Sequence, residues 1–290
     1  MVRLENLTKS FRGRLALGGL SLDIAPGEIF GLLGHNGAGK STTFGMMLGH
    51  IHPDAGEAFI AGHSVQRERA KAISRVGAIF ETPAFYDYMS GWENLRFLVS
   101  LSGLESDGRL MDAVRLVRLE KRIHDPVRAY SHGMRQRLAL AQALLPDPAF
   151  ILLDEPTEGL DPEGIQEMRE MIRHLRDERG LTVMLSSHLL AEVEQLCDRV
   201  AILHQGRMVF CGSWKSGEPP WQFDIDDWAK AGPVFAQAGA LVGPGNLVTL
   251  PPGSDAADVV AALVRSGVRV RGVAVVRKTL EDFYMERVGQ

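Results

Sequence analysis

The chain has 290 residues, 45% of them hydrophobic and 23% charged, with a formal net charge of −4. That length allows one large domain or a domain with an appendage, with a core that needs no disulfide or metal staple. The charge excludes a global basic field for nucleic acid or anionic lipid, and no apolar run approaches the roughly 18–20 residues of a membrane helix. The two cysteines, Cys197 and Cys211, make neither a disulfide framework nor a close-spaced metal pair, which suits a reducing, cytosolic compartment. The first stretch, MVRLENLTKSF, alternates polar and apolar residues and carries no signal-peptide core.

In chain order, RLENLTKSF and GGLSLDI predict an antiparallel N-terminal lobe. EIFGLL predicts a strand that runs into a glycine turn and the helix KSTTFGMMLGH, and RVGAIF reads as a further strand. Residues from about Phe85 to Leu145 read as a mostly helical insert. AFILLD and LTVMLSS are short continuous apolar runs, as in strands buried on both faces. PEGIQEMREMIRHLRDERG and LLAEVEQLCDRV read as the helices that follow them. This alternation predicts an α/β fold with a mainly parallel core sheet. After Gly212, GEPPWQFDIDDWAKAGP is rich in Pro, Gly and Asp and reads as a linker with fragments of strand. NLVTL, SDAADVVAALVRSG and VRVRGVAVV then predict strand, helix, strand, the helix with Ala256, Val259, Val260 and Leu263 on one face and Gly267 as its stop. TLEDFYMERV opens on Thr279 and Asp282, a capping box with Asp in place of Glu. The boundaries are a domain over 1–212 and a small α/β appendage over 213–290.

Gly34 to Ser41, GHNGAGKS, matches G-x-x-x-x-G-K-[ST] between a predicted strand and a predicted helix. The glycines let the backbone curl so that its N–H groups face phosphate oxygens, and the helix adds its positive end. Gly34, His35, Asn36, Gly37, Ala38, Gly39, Lys40, Ser41 and Thr42 are therefore candidate nucleotide contacts. Lys40 reaches the β- and γ-phosphates and Ser41 ligates Mg²⁺. Asp154, at the end of the FILLD strand, is a candidate to hold Mg²⁺, and Glu155 a candidate to accept the proton of an attacking water. His188 ends another apolar strand. A lone histidine is more often structural, but here it is placed to donate to the γ-phosphate and position the water. Phe11 is a candidate to stack on adenine, and equally a core aromatic.

These pieces together resemble the ATP-binding subunits of ABC transporters. YSHGMRQRL, Tyr130 to Leu138, stands where that family carries its LSGGQ-like signature, and the resemblance covers about Leu4 to Gly212 with every motif in order. Its own chemistry is a helix start: Ser131 is a good N-cap, and a capped helix N-terminus favours an anion. The resemblance implies a head-to-tail dimer in which Ser131 and the Gly133 N–H meet the γ-phosphate held by the partner's phosphate loop. His132 replaces the usual first glycine of the signature, with its side chain expected to point away from the nucleotide, and Met134 replaces the usual glutamine. The resemblance also makes EGLD, Glu158 to Asp161, an interface loop, although Asp161-Pro162 equally reads as a helix start.

Glu81 stands where the family has a glutamine, and as a carboxylate it is a harder Mg²⁺ ligand. The aromatics after it, Phe85, Tyr86, Tyr88 and Trp92, suit either a docking groove for a membrane partner or the insert's own core. Glu81 and the TLEDFYMERV ending resemble the ABC-2 exporter branch that includes bacitracin and lantibiotic immunity exporters; a related branch serves copper-enzyme maturation. The resemblance therefore implies an ATP- and Mg²⁺-dependent ATPase, peripheral on the cytoplasmic face of the membrane. It implies a homodimer or heterodimer of ATP-binding subunits, an integral membrane permease as partner, and no nucleic acid. Soluble ABC ATPases of ribosomes or DNA are the alternative, but those typically carry tandem domains, a long coiled-coil arm or a basic patch. A module that binds nucleotide without hydrolysing it is opposed by Glu155 and His188.

Overall fold

A computed structural model of the chain describes residues 2–80, 83–102, 107–214, 219–276 and 279–288. The chain divides into two compact units, one of residues 1–213 with 286–290 and one of residues 214–285.

The first unit begins with β1 (Val2–Phe11), β2 (Arg14–Ile24) and β3 (Ile29–Leu33), followed by α1 (Lys40–Met47). Next come β4 (Ala55–Ile60), β5 (His63–Ser64), α2 (Arg69–Ile73) and β6 (Val76–Ile79). Three helices follow, α3 (Gly91–Ser102), α4 (Asp107–Leu116) and α5 (His132–Leu144). β7 (Phe150–Asp154), α6 (Pro162–Arg179), β8 (Thr182–Ser187), α7 (Leu190–Leu196), β9 (Arg199–His204) and β10 (Arg207–Gly212) complete it. β1, β2, β4 and β5 form an antiparallel sheet in the order β2-β1-β4-β5. The central sheet runs β10-β9-β3-β8-β7-β6, parallel throughout except for the edge strand β10. β3, β7 and β8 are buried at every position, which is why each reads as an unbroken apolar run rather than an alternation.

The parallel register brings the working ends together. Leu33 lies opposite Ser187, and Asp154 opposite Ser186. The residues just beyond β3, β7 and β8 therefore emerge side by side at the carboxyl edge, where open α/β sheets hold ligands.

Two sequence expectations are corrected. LLAEVEQLCDRV is not one helix: α7 ends at Leu196, and Arg199 begins β9. The Asp198 carboxylate accepts the Ile29 backbone N–H at 2.9 Å, docking the chain beside β3, and Val200 to Leu203 are worth more as a buried parallel strand than as another helical turn. β9 and β10 form a hairpin that the sequence reading passed over; its turn, Gln205-Gly206, has φ of 48° and 77°, the twist that two-residue hairpin turns require. The second correction falls in GEPPWQFDIDDWAKAGP: the expected fragment of strand is there, Trp221–Ile225, but Trp228–Gln237 is a helix rather than linker.

The second unit holds β11 (Trp221–Ile225), α8 (Trp228–Gln237), β12 (Leu241–Val242), β13 (Leu247–Thr249), α9 (Ala256–Arg265), β14 (Val270–Val275) and most of α10 (Leu280–Val288). Its antiparallel sheet has the order β12-β13-β11-β14. The apolar alternation Trp221-Phe223-Ile225 outweighs the polar composition around it, because Phe223 and Ile225 bury on one face. Asp227 then caps α8 by accepting from Lys230 N–H at 3.0 Å. Phe235 stacks on Trp228 and meets Phe223 edge-on in the core of this unit. The capping box ahead of α10 forms reciprocally: Thr279 N–H donates to the Asp282 carboxylate at 3.0 Å and Asp282 N–H donates to Thr279 Oγ1 at 3.1 Å.

Candidate functional site

The turn between β3 and α1 forms the floor of the site. Gly39 has φ of +112°, and a Cβ there would lie 2.7 Å from the Ala16 carbonyl oxygen, so both backbone conformation and space demand glycine. The amides of Lys40, Ser41 and Thr42 open α1 and have no intrahelical acceptor, which leaves them for an anion. His35, Asn36 and Gly37 are exposed on the turn, while Ala38 is buried beneath it. A cavity of about 290 Å³ lies over these residues and is also lined by Ala16, Asp154, Glu155 and Glu158.

Lys40 is the charge at its centre. Its Nζ donates to the Gly34 carbonyl at 2.7 Å and pairs with Glu155 Oε1 at 3.1 Å, with the two side chains only 6% and 9% exposed. The other carboxylate oxygen of Glu155 accepts the His188 backbone N–H at 3.2 Å and lies 2.9 Å from His188 Nδ1. A carboxylate can only accept there, so Nδ1 carries the hydrogen and Nε2 takes no part in this contact; His188 itself lines neither this cavity nor the adjoining one. Ser186, wholly buried in β8, ties the two acids together: its hydroxyl donates to Asp154 Oδ1 at 2.6 Å and accepts from Glu155 N–H at 3.0 Å. Glu155 itself has φ of +49°, a left-handed conformation that costs a non-glycine residue about 1–2 kcal/mol. That turn at the strand end swings its carboxylate to Lys40 while leaving Asp154 on the strand axis.

Ser186 and Thr157, which the sequence reading did not single out, belong here, as does Glu158, which it placed only in an interface loop. Ser186 is signalled only by a serine pair ending an otherwise apolar strand. Glu158 lines the cavity and, with Glu155 and His188, offers a ligand atom within 4.8 Å of the others. Thr157 donates its hydroxyl to Glu192 on α7, and burial pushes the Glu192 carboxyl above its usual range against the opposing effect of that hydrogen bond. Nothing in the spacing of Thr157 and Glu192 foretells this pairing, because it forms across the sheet edge.

Phe11 ends β1, 47% exposed, with Lys9 Nζ 5.5 Å from its ring centre. It lines a second cavity of about 670 Å³ that shares Ala16, His35, Asn36 and Gly37 with the first. A purine held by Phe11 would thus have its phosphates over the glycine turn. Ser131, Gly133 and Asp161 are not brought into either cavity among the described residues. Ser131 caps α5, accepting from Met134 N–H at 3.2 Å, and Asp161 caps α6, accepting from Gly164 N–H at 2.8 Å. Glu81 lies outside the described residues. The oxygens of Ser41 and Asp154 are the hard donors Mg²⁺ takes, and they fit such an ion beside the phosphate turn.

A buried parallel strand, a glycine turn, a helix start with open amides, one lysine and two strand-end acids define a P-loop nucleoside triphosphatase. The family model described as ABC transporter matches residues 17–158. The ABC transporter ATP-binding protein YhcH of Bacillus subtilis is 41% identical, covering 100% of this chain and 96% of that one. The bacitracin transport ATP-binding protein BcrA of Enterococcus faecalis is 32% identical over the same shares of the two chains. A solved ATP-binding subunit of an ABC transporter superposes with a TM-score of 0.67 at 26% identity, covering 91% of this chain and 99% of that one. The chain belongs to the ABC transporter ATP-binding family, and as such it is an ATP-binding ATPase. No helix among the described residues is long and apolar enough to cross a membrane.

Proposed function

We propose that this chain hydrolyses ATP in a Mg²⁺-dependent dimer and so drives export of amphiphilic cargo, such as peptide antibiotics, through a separate membrane permease. The observation that carries the reading is the contact set Lys40–Glu155–His188 beside Asp154 and Ser186, where the acid is held between the phosphate-binding lysine and a histidine. ATP lies with its adenine against Phe11, its β- and γ-phosphates on the amides of the glycine turn and Lys40 leaving Glu155 for the phosphates. Glu155, released, takes a proton from the water. The water oxygen bonds to the γ-phosphorus as the bond to the bridging oxygen breaks, giving ADP and phosphate. With both ring nitrogens protonated, His188 donates from Nδ1 to Glu155 and from Nε2 to the γ-phosphate. Mg²⁺ on Ser41 and Asp154, with Glu81 a further candidate ligand, supplies charge neutralisation of the phosphates.

Ser131 and Gly133 support the dimer, because a capped helix start outside the chain's own cavity suits an anion brought by a second subunit. Asp161, at the end of the Glu158–Asp161 loop before α6, is a further interface residue. The second subunit is a copy or a homologous chain. The bacitracin relative supports the cargo class, and the cytoplasmic face of the membrane follows from a permease partner. The second compact unit, residues 214–285, forms the appendage.

The test is phosphate release from ATP by the full chain. Activity must require Mg²⁺ and fall by two orders of magnitude or more in Glu155→Gln, the scale of losing a general base. That variant must also become dimeric with ATP in sedimentation velocity, and the chain must copurify with a polytopic membrane protein. A monomer at saturating ATP and Mg²⁺, alone and with the permease, refutes the sandwich.

A further inference from the structure

His132 occupies the first position of α5, directly after the cap Ser131. Its ring does not hang free. Nε2 lies 2.9 Å from the Glu158 carbonyl oxygen, 26 residues away. A carbonyl only accepts, so Nε2 carries the hydrogen and donates. The Nε2 edge of the ring also lies against Gly159: a Cβ there would sit 3.3 Å from Nε2 and 3.4 Å from Cδ2. Beside it, a Cβ on Gly133 would be in ordinary contact with Leu160 at 3.6 Å. The first turn of α5 is thereby seated on Glu158–Leu160.

That loop has a second attachment. Glu158 lines the phosphate cavity of its own chain, and its backbone N–H donates to the carbonyl of Glu155 at 3.1 Å. The path from the site to α5 is therefore short and continuous: the Glu155 backbone, Glu158, the His132 ring, Ser131. A glycine at position 132 would leave the path without its last hydrogen bond.

We propose that His132 is a positioning residue which fixes the helix start at Ser131 and Gly133 to the loop at Glu158, so that nucleotide in a chain's own cavity sets the geometry that the chain presents to its partner's nucleotide. This rests on the dimer proposed above. The two sites become coupled because each subunit's occupied cavity orders the donors that the other cavity needs.

The test uses the full chain with three substitutions. His132→Gly removes ring and donor, His132→Phe keeps the ring and removes the donor, and His132→Gln restores an N–H donor of similar reach. Steady-state ATP hydrolysis gives the Hill coefficient and kcat. ADP affinity on the isolated chain gives the cavity's own binding, and sedimentation of each change combined with Glu155→Gln gives the dimer. The Hill coefficient should fall toward one and kcat by about five-fold in the Gly and Phe variants, the fold-change of one hydrogen bond of ordinary net strength. ADP affinity should be unchanged in all three, and the Gln variant should recover the parent values. Cooperativity retained in His132→Phe, or absent from His132→Gln, overturns the link while leaving the dimer standing. If Glu155→Gln alone fails to dimerise with ATP, it is the dimer that falls, and the proposal falls with it. Folding is checked by the ADP affinity itself: a misfolded variant loses it, and a loss in Phe and Gln alike assigns His132 to stability instead.

Discussion

Replacing Glu155 with glutamine should weaken the nucleotide-free protein and at the same time tighten its hold on nucleotide. The Lys40–Glu155 pair at 3.1 Å is worth about 5 kcal/mol of attraction at an effective dielectric of about 20. Both side chains are less than a tenth exposed, so lost hydration offsets much of that attraction. Glutamine leaves Lys40 an acceptor of similar shape, and the Gly34 carbonyl continues to accept from it. What disappears is the charge, leaving a buried ammonium with neutral partners, a net loss of about 2 kcal/mol. For a body of this size that is a fall in Tm of about 4–8 °C. Nucleotide must take Lys40 away from Glu155 in the parent protein but not in the variant, so affinity should rise by as much as about 30-fold. ADP is the right probe, because it offers Lys40 a β-phosphate without the γ-phosphate on which the proposed dimer depends. Calorimetric unfolding without nucleotide and isothermal titration with ADP read both quantities. An unchanged Tm with an unchanged ADP affinity would show that Glu155 is not what holds Lys40 before nucleotide arrives.

Three further outcomes follow from particular contacts. Gly39→Ala drives a methyl to 2.7 Å from the Ala16 carbonyl at φ of +112°, and should cost more than about 2 kcal/mol and remove ATP binding, measured by unfolding and titration. Tyr130 is buried, which with Asp125 nearby pushes its phenol up to about 12 from an ordinary value of 10, while its hydroxyl donates to the Arg122 carbonyl at 2.8 Å. The folded state therefore holds this proton more tightly than the unfolded one. The stabilisation is full below pH 10 and is lost as pH rises toward 12, a slope totalling about 2–3 kcal/mol that Tyr130→Phe should abolish in alkaline unfolding curves. Phe235→Ala empties the aromatic centre of the second unit, at 1% exposure, and should destabilise that unit by about 3–4 kcal/mol in hydrogen exchange with little change in ADP affinity.

The class of fold, and the residues of the glycine turn and the β7 end that line the cavity, were legible in local patterns of the chain. GHNGAGKS between a strand and a helix can hardly do anything but bind phosphate, because glycine spacing, lysine and helix start are all local features. The apolar runs AFILLD and LTVMLSS announced buried parallel strands, and Ser131, Asp161 and the Thr279–Asp282 box announced helix starts, since capping is settled within three or four residues. The same locality explains what went unread. The end of α7 is decided by Asp198 reaching the backbone of β3 far back in the chain, and the extent of β11 by burial of Phe223 and Ile225 under helices that come later. The tertiary structure alone decided that Ser186 binds Asp154 and Glu155, that Glu155 rests on Lys40, and that His132 bonds to Glu158. Each of these joins residues from different elements, whose meeting depends on parallel register and on loop closure over tens of residues. No spacing rule of helix or strand extends that far.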